Sequence, residues 1–144
     1  MRAEDKATVV TGTIGDDIHS LGIKVIEHAL KSADFTVVPL GIQTPQEDFI
    51  RAAVETAADA IFVSSLSGHA RMLCEGLREK CIEAGLNSII LYVGGNLSTG
   101  DMIWGEIEPL FLKMGYDRVY PSTTLPGQII ADLRADIAAR KKSK

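Results

Sequence analysis

The sequence predicts an α/β fold: a flavodoxin-like (Rossmann-like), doubly wound sheet of five parallel strands in the order 2-1-3-4-5, with helices on both faces. Three observations predict it. Five short apolar runs alternate with five amphipathic stretches. Each run is followed by a helical pattern, the crossover that parallel neighbours require. No repeat, linker or low-complexity stretch interrupts the alternation over 144 residues, a length that fits one domain with a core of its own. The strand order follows from the arrangement most common for five strands, which places a switch point between the first and third. Residues 1–144 are therefore read as a single domain, with 1–6 and 140–144 as flexible ends.

The first strand is expected at 7–11, before a helix whose Leu21, Val25, Ile26 and Ala29 share one face. The second, at 35–40, leads into Thr44-Pro45-Gln46-Glu47, which reads as a capping box with proline at the first helical position. The third, at 60–64, precedes a helix that carries Leu73, Leu77 and Cys81 and ends at Gly85. The fourth, at 88–93, precedes a helix ending at Gly115, with Trp104 in the core or at a subunit interface. The fifth, at 118–120, is followed by a helix over 125–139, which the basic residues Arg140, Lys141, Lys142 and Lys144 continue into solvent.

Composition narrows the function classes. Fifteen Lys and Arg against nineteen Asp and Glu give a net charge of −4, which argues against nucleic acid as a partner. No apolar run approaches a membrane span and no signal peptide is expected, so a cytoplasmic protein without a membrane partner is anticipated. Cys74 and Cys81 fall in one predicted helix, about 10 Å apart along its axis, too far to pair. With Leu77 they form an i, i+3, i+7 stripe and read as buried, reduced core thiols.

The chemistry gathers where strands end. Asp17-x-His19-x-x-Gly22 follows the first strand, at the mouth of the first helix, where open α/β sheets bind ligands. An imidazole held by a carboxylate on one nitrogen can offer the other to a metal, so this reads as a metal-ligand loop. Ser64-Ser65-Leu66-Ser67-Gly68 follows the third strand and Gly94-Gly95-Asn96 the fourth. These small residues suit an extended ligand lying against backbone, with Ser64 and Ser65 bonding a polar ring. Equally, the glycines serve a tight turn and the serines cap a helix.

Three other occupants of such a sheet fit poorly. A phosphoacceptor receiver needs an aspartate and a lysine where Ser64 and Pro121 stand. Asp16 and Asp17 would repel a flavin phosphate. A hydrolase built on Ser64, His19 and Asp17 lacks the Gly-x-Ser-x-Gly elbow. His28 lies off the apolar stripe and reads as solvated; His69 either contacts the ligand or a partner, or simply begins a helix.

Asp17-x-His19-x-x-Gly22, Ser64-x-Leu66 and Gly94-Gly95, each after the appropriate strand, resemble the three-part signature of the cobalamin-binding domain that holds its cofactor base-off. The resemblance covers nearly the whole chain. It implies that His19 replaces dimethylbenzimidazole as axial ligand to cobalt, that Asp17 bonds the far side of His19, and that the displaced nucleotide tail occupies a slot beside the sheet. The cofactor-binding set so implied is Asp16, Asp17, Ile18, His19, Ser20, Gly22, Ser64, Ser65, Leu66, Gly94, Gly95, Asn96, Leu97 and Gly100, with no catalytic residue in this chain.

Within that family, segments 59–66, 74–81, 83–86, 91–96 and 114–120 are similar to the small subunits of glutamate (methylaspartate) mutases. This implies adenosylcobalamin as cofactor and radical interconversion of L-glutamate and threo-3-methyl-L-aspartate. It also implies a large barrel subunit as partner, two small with two large, and no activity alone. Asp16 and Ile18 stand where such subunits often carry serine and cysteine, and 121–127 lacks their usual Pro-Gly-Thr pattern. The loop from Ser67 to Met72 looks more like that of acyl-CoA mutases, which keeps such a subunit as an alternative. A non-radical corrinoid carrier is another; carriers usually have a helical cap fused ahead of the domain, and only about six residues precede the first strand here.

Overall fold

The computed structural model describes residues 6–15, 21–65, 70–97 and 103–142. Its elements run β1 (Thr8–Thr13), α1 (Leu21–Ser32), β2 (Thr36–Pro39), α2 (Gln46–Thr56), β3 (Ala60–Ser65), α3 (Ala70–Cys74), α4 (Leu77–Glu83), β4 (Ile90–Gly95), α5 (Trp104–Lys113), β5 (Arg118–Pro121) and α6 (Pro126–Lys142). All neighbouring strands are parallel, in the expected order β2-β1-β3-β4-β5.

Alternation along each strand divides the core into two layers. Val10, Ile61, Val63, Leu91 and Val93 face α2 to α5, where Phe49, Cys74, Leu77 and Phe111 close against them. Val9, Phe62, Tyr92 and Tyr120 face α1 and α6, meeting Ile23, Leu30, Ile129 and Leu133. Strands buried on both faces are apolar throughout, which is why β3 and β4 stand out as unbroken runs. Cys74 and Cys81 are buried free thiols, as expected. Burial pushes them up to about 12 and about 11 respectively, so both are protonated and inert at neutral pH.

The local differences from the sequence reading have physical causes. β1 and β4 each extend two residues further, to Thr13 and Gly95. The capping box at 44–47 does not form, because Thr44 is used as strand: its N–H donates to Thr13 O (2.8 Å) and its carbonyl accepts from Gly15 N (2.7 Å). Pro45 precedes α2 rather than opening it, and Glu47 pairs instead with Lys80, which holds its carboxyl below the usual range. The single helix expected before Gly85 is two, broken at Gly76, whose φ of +90° suits glycine. Gln46 Nε2 stabilises the break by donating to the carbonyls of Leu73 (2.6 Å) and Glu75 (2.9 Å). On α1 the packed stripe is Ile23, Ile26 and Leu30, whereas Val25 is 48% exposed.

Arg140, expected in a free tail, is held within α6, donating to Ser88 O (3.0 Å) and pairing with Asp117 (3.2 Å). Among the described residues no helix is long and apolar enough to cross a membrane.

The lower edge of the sheet hangs on Arg78, only 14% of whose side chain is exposed. It donates to Gly115 O (2.8 Å), Ile89 O (2.9 Å) and Asp117 Oδ2 (2.8 Å), tying α4 to the chain entering β4 and β5. Removing it strands two carbonyls and leaves Asp117 only Arg140 and the Leu91 N–H. Arg78→Ala is expected to lower unfolding free energy by about 3 kcal/mol in urea titrations.

A second ion pair gives a pH signature. Arg118 donates to both oxygens of Asp136 and holds that carboxyl below its ordinary value of 3.8. Because the folded value is depressed, this contribution is complete above the ordinary value and is lost as pH falls through the folded one. Asp136→Asn should therefore flatten the stability profile below about pH 4, measured as urea midpoint against pH; an unchanged acid limb would show that the pair contributes nothing.

Candidate functional site

The strand register aligns Thr13, Ser64, Gly94 and Tyr120 in one row across the carboxyl end of the sheet, with Thr11, Phe62, Tyr92 and Arg118 in the row behind. Both rows face α1 and α6. Gly94 therefore leaves a gap between Ser64 and Tyr120. Behind the gap the Phe62 ring reaches forward, so that a Cβ on Gly94 would lie 2.9 Å from Phe62 Cζ and 3.5 Å from Tyr120 Cβ.

This gap is the floor of a cavity of about 380 Å³. Gly22, Val25 and Ile26 of α1 form one wall, and Pro121, Thr124 and Ile129 the opposite one. Val25 is exposed because it faces this space, not because α1 turns away from the sheet. Gly22 opens freely, with no atom within 4 Å of where its Cβ would stand. Among the described residues the lining carries no charged side chain; its polar side chains are Ser64, Ser122, Thr124 and Tyr120, the last with its hydroxyl bonded to Asp132. An apolar, glycine-floored slot with a few hydroxyls fits a flat heteroaromatic ring, which gains from burial and needs few partners. The residues present thus fit the nucleotide tail of a cobalamin.

The paired glycines do different work. Gly95 has φ of +119°, and a Cβ there would stand 2.1 Å from Ser65 O, so backbone geometry alone demands glycine. Gly94 is the one that keeps the cavity open.

Of the expected site residues, Gly22, Ser64, Gly94 and Gly95 come together around the cavity. Ser65 and Leu97 do not line it. Ser65 is fully buried on the opposite face, its hydroxyl without a hydrogen-bond partner among the described residues. Leu97 is 2% exposed and packs in the α2 to α5 layer. Asn96 is exposed at the end of β4. Asp16, Asp17, Ile18, His19, Ser20, Leu66 and Gly100 lie outside the described residues, as does His69. His28 is exposed on α1, as expected.

The described chain on either side of 16–20 is anchored to this cavity. Ile14 N donates to Ser64 O (3.1 Å) and Gly15 N to Thr44 O (2.7 Å). Gly15 has φ of +67°, and a Cβ there would meet the Leu73 side chain at 2.5 Å. The chain resumes in α1, the cavity wall. Among the described residues no cluster of three or more His, Cys, Asp or Glu could hold a metal.

Sequence reasoning did not name Phe62, Tyr120, Val25 or Ile129 as parts of the site. Phe62 was within reach, since it lies two residues before Ser64 and shares its face. Tyr120 needed the β4 to β5 register, which places it beside Gly94.

Comparison with known proteins agrees with this geometry. The B12 binding domain model matches residues 7–106. The glutamate mutase sigma subunit of Clostridium tetani (strain Massachusetts / E88) is 53% identical over 133 residues, covering 92% of this chain and 97% of that one. The sigma subunit of Clostridium cochlearium is 52% identical with the same coverage. A cobalamin-binding protein from Desulfitobacterium hafniense DCB-2 superposes with a TM-score of 0.71 at 18% identity over 90% of this chain. This chain spans 59% of that protein's length, and the likeness speaks for the fold. Matched across most of its length by the domain model and by relatives of about its own size, the chain belongs to the B12-binding domain family, in the branch of the glutamate mutase sigma subunits.

Proposed function

We propose that this chain is the cobalamin-binding subunit of an adenosylcobalamin-dependent carbon-skeleton mutase that interconverts L-glutamate and threo-3-methyl-L-aspartate. It works with a separate large catalytic subunit, two small chains with two large. The observation that carries the reading is the cavity floored by Gly94 at the carboxyl end of the sheet, whose described lining is uncharged. Sigma-subunit relatives above 50% identity favour this partner over an acyl-CoA mutase.

In this reading His19 binds cobalt from below, Asp17 holds the far nitrogen of His19, and Ser64, Gly94 and Gly22 accommodate the displaced tail. Bound adenosylcobalamin supplies the organic radical chemistry that the amino acids lack. The chain's own part is to bind and orient. Asp17, as acceptor, fixes the ring orientation of His19 and strengthens its donor nitrogen. The apolar walls at Val25, Ile26 and Ile129 exclude water from the tail. Among the described residues the lining has no cation to hold a dicarboxylate amino acid; in this reading substrate binding falls to the partner, and the isolated chain has no turnover.

Two experiments test this. With cob(II)alamin in excess chain labelled uniformly with ¹⁵N, the axial nitrogen splitting in the paramagnetic resonance spectrum should become that of the heavy isotope. His19→Ala should abolish it. A splitting unchanged from that of dimethylbenzimidazole, in demonstrably bound cofactor, would exclude His19 as ligand. Separately, Gly94→Val should fill the floor of the cavity and weaken cobalamin binding by at least about tenfold while the circular dichroism spectrum stays native. Undiminished binding would place the tail elsewhere.

A further inference from the structure

The cavity is fastened from behind by a polar network that the expected cofactor residues do not include. α6 presents Asp132 and Asp136, one turn apart, to the face of β4 and β5. The Tyr120 hydroxyl donates to Asp132 Oδ2 (2.7 Å), and the Tyr92 hydroxyl donates to Asp136. Arg118 donates to both oxygens of Asp136 (2.8 and 3.0 Å) and its Nη1 stands 3.8 Å from Asp132. Gln128 Nε2 adds a bond to Asp132 Oδ1 (3.0 Å).

The rings above this network pack as one unit. Tyr92 meets Tyr120 edge-on at 5.4 Å, and Phe62 stacks against Tyr120 at 6.4 Å with 19° between planes. Only Phe62 and Tyr120 reach the cavity. Burial raises both tyrosines well above their usual value, so each hydroxyl remains a donor and needs an acceptor. A buried phenol without one either stays unsatisfied, which is costly, or turns toward open space. For Tyr120 the open space is the hollow at Gly94.

We propose that Asp132 is a positioning residue for the nucleotide tail: by accepting the Tyr120 hydroxyl on the α6 side, it holds that ring against Phe62 and keeps the hollow at Gly94 clear for a planar base. Arg118 stands beside both carboxylates, bonded to Asp136 and with its Nη1 3.8 Å from Asp132, so the acceptor of the Tyr120 hydroxyl is itself braced by a cation. This rests on the reading of the cavity as the tail slot. It differs from a simple anchoring of α6, because anchoring would affect every corrinoid alike.

The test titrates the full chain, by absorbance, with cobalamin and with cobinamide, the same corrin without the nucleotide tail. Asp132→Ala should weaken cobalamin binding about tenfold and leave cobinamide binding within about twofold. Asp132→Asn, which keeps the shape and one acceptor oxygen, should recover most of the loss. In a Tyr120→Phe background, Asp132→Ala should cost less than about twofold, since the hydroxyl it served is gone. Equal losses for both corrinoids, an undiminished loss in the Tyr120→Phe background, or an Asp132→Ala chain that fails to fold would each overturn the proposal. If the wild-type chain binds neither corrinoid, the tail-slot reading fails first, and that is seen before any variant is made.

Discussion

β1 pairs with β3 on one edge and β2 on the other, all in parallel, and this sends the chain over one face of the sheet after β1 and over the other after β3. α1 crosses over one face with α6, while α2 to α5 cover the other. The connections after β1 and β3 therefore part at the carboxyl end, and the cavity opens beside them, between α1 and the chain running from β5 into α6. Residues 51 positions apart, such as Thr13 and Ser64, become neighbours only because of that pairing. The anchoring of Gly15 through Thr44, the wall built by α1 and the floor at Gly94 all depend on it.

Keeping a hollow beside a packed core has a cost, since a glycine in a strand contributes neither packing nor conformational restraint. The structure offsets this directly behind the hollow. Phe62, Tyr92 and Tyr120 form a mutually packed set, and the two phenols end on carboxylates of α6 held by Arg118. Charge-assisted bonds of this kind are stronger and more directional than apolar contact. They locate α6 to within a hydrogen bond's tolerance, which apolar packing alone would leave looser. The floor of the site can be empty because what stands behind it is rigid.

The fold was legible wherever one physical signal dominated. β3 and β4 are central strands, so their apolar runs had no competing reading, and Gly85 and Gly115 ended helices with φ of +86° and +106° as helix-stop glycines do. Misreadings arose where tertiary contacts outbid local preference. Thr44 resembles a helix cap, yet the bridge to Ile14 gives its backbone two strand-type bonds, more than a single cap would supply. Gly76 sits in a helical pattern, but Gln46, thirty residues earlier, offers the bonds that make a break stable there. Ser64 and Gly94 could be named from the sequence because small residues at strand ends are visible without coordinates. Tyr120 could not, because its place in the site is a fact of register, not of spacing.

The character of the lining also explains a division of labour between polypeptides. A site that recognises a charged amino acid must carry fixed charges, and fixed charges near a slot for a neutral aromatic base would need desolvation each time the base entered. Among the described residues, the charges of Arg118, Asp132 and Asp136 are instead turned onto one another behind the rings and satisfied by tyrosine hydroxyls. The described lining of the cavity thereby stays uncharged although two carboxylates and a guanidinium lie behind its rings. A cavity lined this way suits flat, neutral groups, and the ionic recognition of a charged ligand calls for a differently lined surface, because each must keep the solvation its ligand requires.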